Sequence, residues 1–285
     1  MLQTLRTNTS RILDVGRTVK KGFGGTVKLA RFGRRRINLV LRVATHSPLF
    51  DPHGKPPAEP ALAGLPEMRR ISTSAEDGIA GTSWYAEAKP GQPTLLFCHG
   101  RSGHVARDLK RARLFLEAGY GLLLLGYRGY GGNKGRPTER GLQADAEGAL
   151  QWLLRQQLGY GDIVLYGRSL GSGVVMPVAA HRPFRAIILE SPFASIPDVA
   201  AVTHPRVPRL LMSRVKFDNL SKIKDIEAPI LILHGTADEI VPPASAEKLY
   251  NAATATKQIL WFEGGSHSDL FARGAGASVI RYLAS

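Results

Sequence analysis

A serine lies between two glycines in the pentapeptide "GRSLG", residues 167–171. The apolar run "DIVLY" precedes it and "SGVVMPVAA" follows it, which predicts a buried strand, a tight turn and a helix. On such a turn Ser169 stands at the carboxyl end of the strand, where its hydroxyl can attack a carbonyl carbon. Pro177 is expected to kink the helix or to end one of its turns. The pentapeptide alone also fits a glycine-rich turn that has no catalytic role. The assignment therefore depends on whether the sequence also contains a base and an acid for this serine.

A nucleophilic serine needs a base, because its hydroxyl is protonated at neutral pH, and a group that orients the base. We assign the base to His267 in "ILWFEGGSHSDL", after a strand and two glycines, and expect it to begin the last helix. Among eight histidines, the competitor is His104, near the start of another helix. The orienting acid is Asp238 in "LILHGTADEIVP", with the adjacent Glu239 as its rival. This order of serine, acid and histidine is the one expected for a nucleophile on a strand-to-helix turn.

Acyl transfer also needs hydrogen-bond donors for the oxyanion that forms on the carbonyl oxygen. One donor is expected to be the backbone N–H of Leu170, which follows the serine, and the other the N–H of Arg101 in "LLFCHGRSGH". Gly100 permits the turn there, and a plain tight turn is the alternative. His99 and His234, each before a glycine at a strand end, are expected to form structural hydrogen bonds.

The elements that must position these residues alternate along the chain. "ISTSAEDGIAGTSWYAEA" predicts a β-hairpin with its turn at Asp77-Gly78. Further strands are predicted at "TLLFC", "GLLLLGY", "DIVLY", "AIILE", "PILIL" and "QILWF", and helices at about 104–118, 138–157, 170–181, 243–252 and 268–283. Strands that alternate with helices indicate an α/β protein with a mostly parallel sheet covered on both faces. Active sites in such sheets lie at the carboxyl ends of the strands.

The positive charge is concentrated at the beginning of the chain. Residues 1–45 hold eleven Lys and Arg against a single acidic residue, Asp14, and so carry ten units of the formal net charge of +15. A basic amphipathic segment of this kind can lie on an anionic membrane surface, shares the composition of organellar transit peptides, or can be a solvated helix. Nucleic-acid binding is disfavoured, since neither interleaved aromatic residues nor a reader motif accompany the charge.

Composition sets the domain and compartment expectations. Cys98 is the only cysteine, which excludes an intrachain disulfide and fits a reducing compartment. Neither a run of 18 apolar residues nor a secretory signal pattern is found, so we expect a cytoplasmic protein and leave open a peripheral position at the inner membrane face. Six prolines in "HSPLFDPHGKPPAEPALAGLP" predict an extended linker. The expected division is a basic arm at 1–45, a Pro-rich linker at 46–69 and an α/β domain at 70–285.

Six segments in this order resemble the α/β-hydrolase superfamily, in particular its short-lid branch of bacterial esterase-like proteins and eukaryotic protein depalmitoylases. They are "FCHGRSGH", "GYRGYGGNKGRPTERGL", "LYGRSLGSG", "ILESPFAS", "LILHGTADEIVP" and "GGSHSDL". The resemblance implies the α/β-hydrolase fold, a triad of Ser169, Asp238 and His267, and oxyanion donors at Arg101 and Leu170. This chain differs from the family in two places: the family usually has a small polar residue at the position of Arg101, and Asp where this chain has glycine before Tyr-Arg-Gly.

The expected function is hydrolysis of a small acyl ester or thioester through an acyl-enzyme, with no metal and no organic cofactor. An aminopeptidase-like amide hydrolase would use the same groups, and a non-catalytic membrane-associated interaction protein is the alternative of another class. A short cap of one or two small helices is expected at about 194–228. Its apolar residues either line an acyl channel or pack on the body of the domain; they include Val199, Val202, Leu210, Leu211 and Met212.

Overall fold

The computed structural model describes residues 49–52, 54, 59–203 and 215–285. The basic arm predicted at 1–45 lies outside these residues, as do parts of the predicted linker and cap. The described residues belong to one compact unit, Leu49–Ser285. Within the predicted linker, Leu65 and Met68 are buried in the core, and Leu49 packs against it. The described ends of the linker therefore pack against the body, while the predicted domain boundaries stay predictions.

Eight strands of the described residues form one sheet in the order β1-β2-β4-β3-β5-β6-β7-β8. The strands are β1 (Arg69–Ser74), β2 (Ala80–Ala86), β3 (Thr94–Cys98), β4 (Gly121–Leu124), β5 (Ile163–Arg168), β6 (Ala186–Glu190), β7 (Ile230–Gly235) and β8 (Lys257–Phe262). Strand β2 is antiparallel to both β1 and β4, and every other neighbouring pair is parallel. The hairpin and the mostly parallel sheet are therefore confirmed.

The helices lie between the strands, as the alternation predicts. In the described residues they are α1 (Leu109–Glu117), α2 (Glu139–Arg155), α3 (Leu170–Ala179), α4 (Ile196–Thr203), α5 (Asn219–Lys222), α6 (Pro243–Ala252) and α7 (Ala275–Ala284). The predicted start of the last helix at residue 268, directly after His267, is wrong. Residues 268–274 form turns, in which the carboxylate of Asp269 accepts the Ser266 N–H, and Gly274 adopts a left-handed φ of 94° before the helix begins.

Helix α3 contains Pro177 and still continues to Ala179. A proline has no N–H, so the carbonyl four residues earlier loses its helical partner. That carbonyl belongs to Gly173, and the side-chain Nε2 of Gln143 donates to it at 3.3 Å. Because Gln143 lies on α2, this hydrogen bond replaces the missing one and also joins the two helices.

Both faces of the sheet are buried at its central strands. In β3, Leu95 and Phe97 pack into one apolar cluster, and Leu96 and Cys98 pack into the other. Successive strand residues point to opposite faces, so a strand covered on both sides is apolar at nearly every position. This explains the continuous apolar runs in the sequence. The polar residues lie instead at the carboxyl ends of the strands.

The described part of the predicted cap comprises α4, α5 and a short 3₁₀ turn at Ile223–Asp225. On α4, Val199 is partly buried against the core, whereas Val202 is 63% exposed. The apolar residues of the cap thus have different surroundings. The remaining candidates for the acyl channel lie outside the described residues; they are Leu210, Leu211 and Met212.

Candidate active site

Ser169 lies between β5 and α3 with φ = 51° and ψ = −115°. A positive φ in a residue other than glycine costs about 1–3 kcal/mol, so neighbouring structure must hold it. The flanking glycines allow neighbouring backbone segments to lie close to the turn. A Cβ at Gly171 would clash with the carbonyl oxygen of Cys98, and one at Gly167 would lie 2.6 Å from the Gly171 carbonyl oxygen. The strained dihedral therefore belongs to the serine, and the glycines leave room around it.

The structure brings together the three side chains assigned from the sequence. The Nε2 of His267 lies 2.9 Å from the Oγ of Ser169, and its Nδ1 lies 2.7 Å from Oδ2 of Asp238. A carboxylate can only accept, so Nδ1 carries the ring proton and Nε2 accepts the hydrogen bond of the serine hydroxyl. The three residues follow β5, β7 and β8, whose carboxyl ends share one edge of the sheet. This arrangement allows proton transfer from the hydroxyl to the imidazole.

Burial distinguishes Asp238 from its rival, since Asp238 is 5% exposed and Glu239 lies at the surface. Its Oδ1 accepts the N–H groups of Ile240 and Val241 at 2.9 and 2.8 Å. Burial raises the pKa of the carboxyl, but the hydrogen bond and charge of His267 and the Val241 N–H outweigh burial and lower the pKa overall. Asp238 is therefore ionised at neutral pH and rigidly held.

Two other histidines at strand ends form hydrogen bonds with backbone carbonyl oxygens, as expected. His234 lies with Nε2 3.0 Å from the carbonyl oxygen of Val241, next to the acid. His99 lies with Nδ1 2.8 Å from the carbonyl oxygen of the following glycine, and burial lowers its pKa to about 4, so the ring is neutral. His104, the competitor for the role of base, makes no hydrogen bond to the candidate serine among the described residues.

The loop that carries Arg101 lies beside the serine, and Leu170, the other expected oxyanion donor, follows the serine directly in the chain. A Cβ at Gly100 would lie 3.5 Å from the Cβ of Ser169, so the loop after β3 passes beside the hydroxyl. Leu170 is the first residue of α3, and its N–H has no partner within the helix. Across the ranges described above, neither the N–H of Leu170 nor that of Arg101 donates to another residue of the chain. Within the described ranges, neither N–H group is therefore occupied by a hydrogen bond of the fold.

Gly126, where the resembled family usually has Asp, has no room for a side chain. A Cβ there would clash with the carbonyl oxygen of Thr82 and lie 2.7 Å from Nδ2 of Asn133. Asn133 fills the space: its Oδ1 accepts the Thr82 N–H at 2.8 Å, and its Nδ2 donates to the Tyr127 carbonyl oxygen at 3.2 Å. In this chain an amide from the loop after β4 joins β2 to the beginning of that same loop.

A buried charge cluster, formed by Arg111, Tyr166, Arg168 and Glu190, lies next to the serine turn. Arg111 donates to both oxygens of Glu190 at 2.7 and 3.0 Å, Arg168 donates through Nε at 3.2 Å, and the Tyr166 hydroxyl also donates to this carboxylate. Burial raises the pKa of Glu190, but the two arginines and the tyrosine outweigh it and lower the pKa overall. The N–H of Ser169 donates to the Glu190 carbonyl oxygen at 2.8 Å, which links the cluster to the strained residue.

This cluster was not predicted from the sequence. One signal was available: Glu190 ends the otherwise apolar run "AIILE", and Arg168 ends β5. The two residues are register partners in the pairing of β5 with β6. A charge at the end of each of two neighbouring buried strands is expected to be paired, because an isolated buried charge is costly.

Comparisons with known proteins agree with this fold and sequence pattern. Residues 93–213 match the sequence model of a family described as alpha/beta hydrolase fold, and residues 212–272 match that of serine aminopeptidase, S33. Uncharacterized protein Rv2307c of Mycobacterium tuberculosis is 36% identical over 218 residues, which cover 75% of this chain and 77% of that protein. Alpha/beta hydrolase domain-containing protein WAV2 of Arabidopsis thaliana is 32% identical over 226 residues, 72% of this chain and 73% of that protein. This chain therefore belongs to the alpha/beta-hydrolase superfamily.

A solved structure has the same fold. The esterase Pf2001 of Pyrococcus furiosus superimposes with a TM-score of 0.67 at 16% identity, over 84% of this chain and 97% of that one. Family membership and fold together support hydrolase activity. No helix within the described ranges is long and apolar enough to cross a bilayer. The same residues contain no group of three or more His, Cys, Asp or Glu side chains placed to hold a metal ion.

Proposed function

We propose that this protein is a serine hydrolase that cleaves carboxylic esters or thioesters through an acyl-enzyme on Ser169. The observation that carries the proposal is the unbroken line of two short hydrogen bonds from the Ser169 hydroxyl through His267 to the buried Asp238. A nucleophile, a base and a group that orients the base are the three components that acyl transfer by serine requires. Their position at the carboxyl edge of a parallel sheet agrees with the family.

The proposed reaction has two halves. The Oγ of Ser169 attacks the acyl carbon while Nε2 of His267 takes its proton, and Asp238 holds the tautomer and stabilises the imidazolium. The N–H groups of Arg101 and Leu170 bind the oxyanion; loss of one such donor costs about 2.7–4 kcal/mol of transition-state stabilisation. The imidazolium then returns its proton to the leaving oxygen or sulfur. In the second half the same imidazole activates water, which releases the acid from the serine.

A fluorophosphonate probe tests the nucleophile. We expect the wild-type protein to be labelled and Ser169→Ala not to be labelled, with hydrolysis of p-nitrophenyl esters falling at least about a thousandfold. Ser221→Ala, at an exposed serine in the cap, is the matched control and keeps wild-type labelling. No labelling of the wild type, or undiminished labelling of Ser169→Ala, rejects the proposal and leaves the non-catalytic interaction protein.

A second candidate function is amide cleavage by the same three side chains. It is favoured by the match of residues 212–272 to the serine aminopeptidase family. Parallel measurement of kcat/KM on p-nitrophenyl esters and on aminoacyl p-nitroanilides separates the two. Higher values on the esters support the first proposal, and higher values on the anilides support the second.

A further inference from the structure

A short strap, residues 49–52, packs against the loop that carries Arg101 although it precedes the predicted hydrolase domain. The hydroxyl of Ser102 donates to Oδ2 of Asp51 at 2.8 Å. The N–H of Asp51 donates to the hydroxyl oxygen of Tyr130 at 3.4 Å. One residue of the strap thus joins the loop after β3 to the loop after β4, beside the candidate active site.

Apolar contacts anchor the strap next to Asp51. Leu49 and Phe50 are partly buried against the core, and the ring of Phe50 meets that of Phe217 edge to face, with 6.3 Å between centroids. Beyond the strap, a Cβ at Gly54 would lie 3.5 Å from Cδ2 of His104. The chain is therefore in contact with the body of the domain on both sides of Asp51, which holds the carboxylate in place.

The loop that receives this carboxylate is a tight turn. The N–H of Gly103 donates to the Gly100 carbonyl oxygen at 3.0 Å, and Nη1 of Arg107 donates to the Ser102 carbonyl oxygen at 2.8 Å. These contacts fix the backbone on the two sides of Arg101, whose own side chain is exposed. Since an oxyanion donor is a backbone N–H, its direction depends on how this turn is held and not on the arginine side chain.

We propose that Asp51 is a positioning residue for the oxyanion donor of Arg101 and acts through the hydroxyl of Ser102; this inference rests on the proposed hydrolase function. A hydrogen bond to an ionised acceptor is about twice as strong as a neutral one, so the carboxylate can hold the turn in one orientation. A misplacement of about 1 Å in a catalytic constellation can reduce the rate about a hundredfold. Loss of the contact therefore reduces turnover while the core remains packed.

The test uses full-length variants and p-nitrophenyl butyrate as substrate. Asp51→Ala and Ser102→Ala each lower kcat about tenfold or more and change KM less than about twofold, because the donor acts in the transition state. The double variant is no slower than either single variant, as expected for two groups that act through one contact. Asp51→Asn, whose amide oxygen still accepts, recovers most of kcat. Inhibition by butylboronic acid, which forms a tetrahedral adduct on serine, weakens in parallel with kcat.

Glu59→Ala is the matched control, since Glu59 is a nearby carboxylate that pairs with Arg70 at the surface, and it keeps the wild-type kcat. Wild-type kcat in Asp51→Ala or Ser102→Ala, or additive losses in the double variant, overturns the inference. A wild type that neither hydrolyses esters nor reacts with the fluorophosphonate refutes the proposed function instead. Thermal melting shows whether each variant folds; should Asp51→Ala unfold, Ser102→Ala and Asp51→Asn carry the test.

Discussion

At the scale of single residues, the proposed chemistry depends on which ring nitrogen of His267 carries the proton. Asp238 accepts from Nδ1, and its other oxygen is occupied by two backbone N–H groups. The carboxylate therefore cannot turn away from the ring without losing those bonds. This fixes Nε2 as the acceptor that faces the hydroxyl of Ser169.

Asp238→Asn should reverse this tautomer. The amide can donate to Nδ1, which places the ring proton on Nε2 and prevents it from accepting the serine proton. We expect kcat on p-nitrophenyl esters to fall about 10⁴-fold with KM little changed. Glu239→Gln, at the exposed neighbour, is the control and retains activity. A loss below about tenfold in Asp238→Asn contradicts the role given to the carboxylate.

The three side chains assigned from the sequence are in hydrogen-bond contact, and they were selected because each follows an apolar run and glycines or turn-forming residues. The contact between Asp51 and Ser102 joins residues 51 positions apart. Nothing local marks that contact, since it depends on where the strap meets a loop from another part of the chain. The strained φ of Ser169 was also inaccessible, because G-x-S-x-G alone does not tell which residue carries the strain.

At the scale of elements, the buried charge cluster joins α1, β5 and β6 around the serine turn. Arg111 comes from α1, Arg168 from the end of β5 and Glu190 from the end of β6. The carboxylate is 2% exposed and receives both guanidinium groups. Removing one partner of such a pair destabilises the fold by more than the intact pair stabilises it, because a buried charge is left without its counter-charge.

Glu190→Gln should lower the free energy of unfolding by about 3–5 kcal/mol at pH 7, measured by urea denaturation. The pKa of Glu190 in the folded protein is lowered from its ordinary value of 4.5, so its carboxylate stabilises the fold above that pH. The stabilisation is lost as the pH falls through the lowered pKa. The difference between wild type and variant should therefore shrink in acid.

The control for this prediction is Glu147→Gln. Glu147 pairs with Arg182 at a position more than a third exposed, where an ion pair contributes less than about 1 kcal/mol. Equal destabilisation by the two variants, or a difference for Glu190→Gln that does not change with pH, would show that the cluster is not the source of the stabilisation.

The strands that are buried on both faces of the sheet could be predicted from their apolar sequences. The central strands were read correctly because a strand covered on both sides has few polar positions, and here these lie at the strand ends. The start of α7 was missed because "SDLFARGAGA" contains apolar residues at helical spacing. Only the left-handed Gly274 and the turn around Asp269 reveal that the helix begins at Ala275.

At the scale of the whole molecule, the charge of residues 1–45 contrasts with the nearly balanced remainder. We propose that this arm binds anionic membrane surfaces. Each Lys or Arg near such a surface contributes about 1 kcal/mol, and salt screens the attraction. A variant that lacks residues 1–45 would keep the strap at residues 49–52. A variant that starts at residue 70 would lose the strap together with the buried Leu65.

Vesicle flotation tests the arm. The full-length protein should float with phosphatidylserine vesicles at low salt and much less at 0.5 M salt, roughly the range in which screening becomes strong. The chain that lacks residues 1–45 should stay at the bottom, and neutral phosphatidylcholine vesicles should carry neither form. Equal flotation of the two forms, or flotation of neither with anionic vesicles, contradicts membrane binding by the arm.

The single cysteine has a practical consequence. Cys98 is the last residue of β3 and is buried, and burial raises the pKa of its thiol to about 12, so maleimide dyes cannot react with it in the folded protein. A cysteine introduced at the exposed Val202 would then be the one site that takes up a fluorophore. The natural chain is thus a ready background for following the cap by fluorescence while an acyl compound enters and leaves.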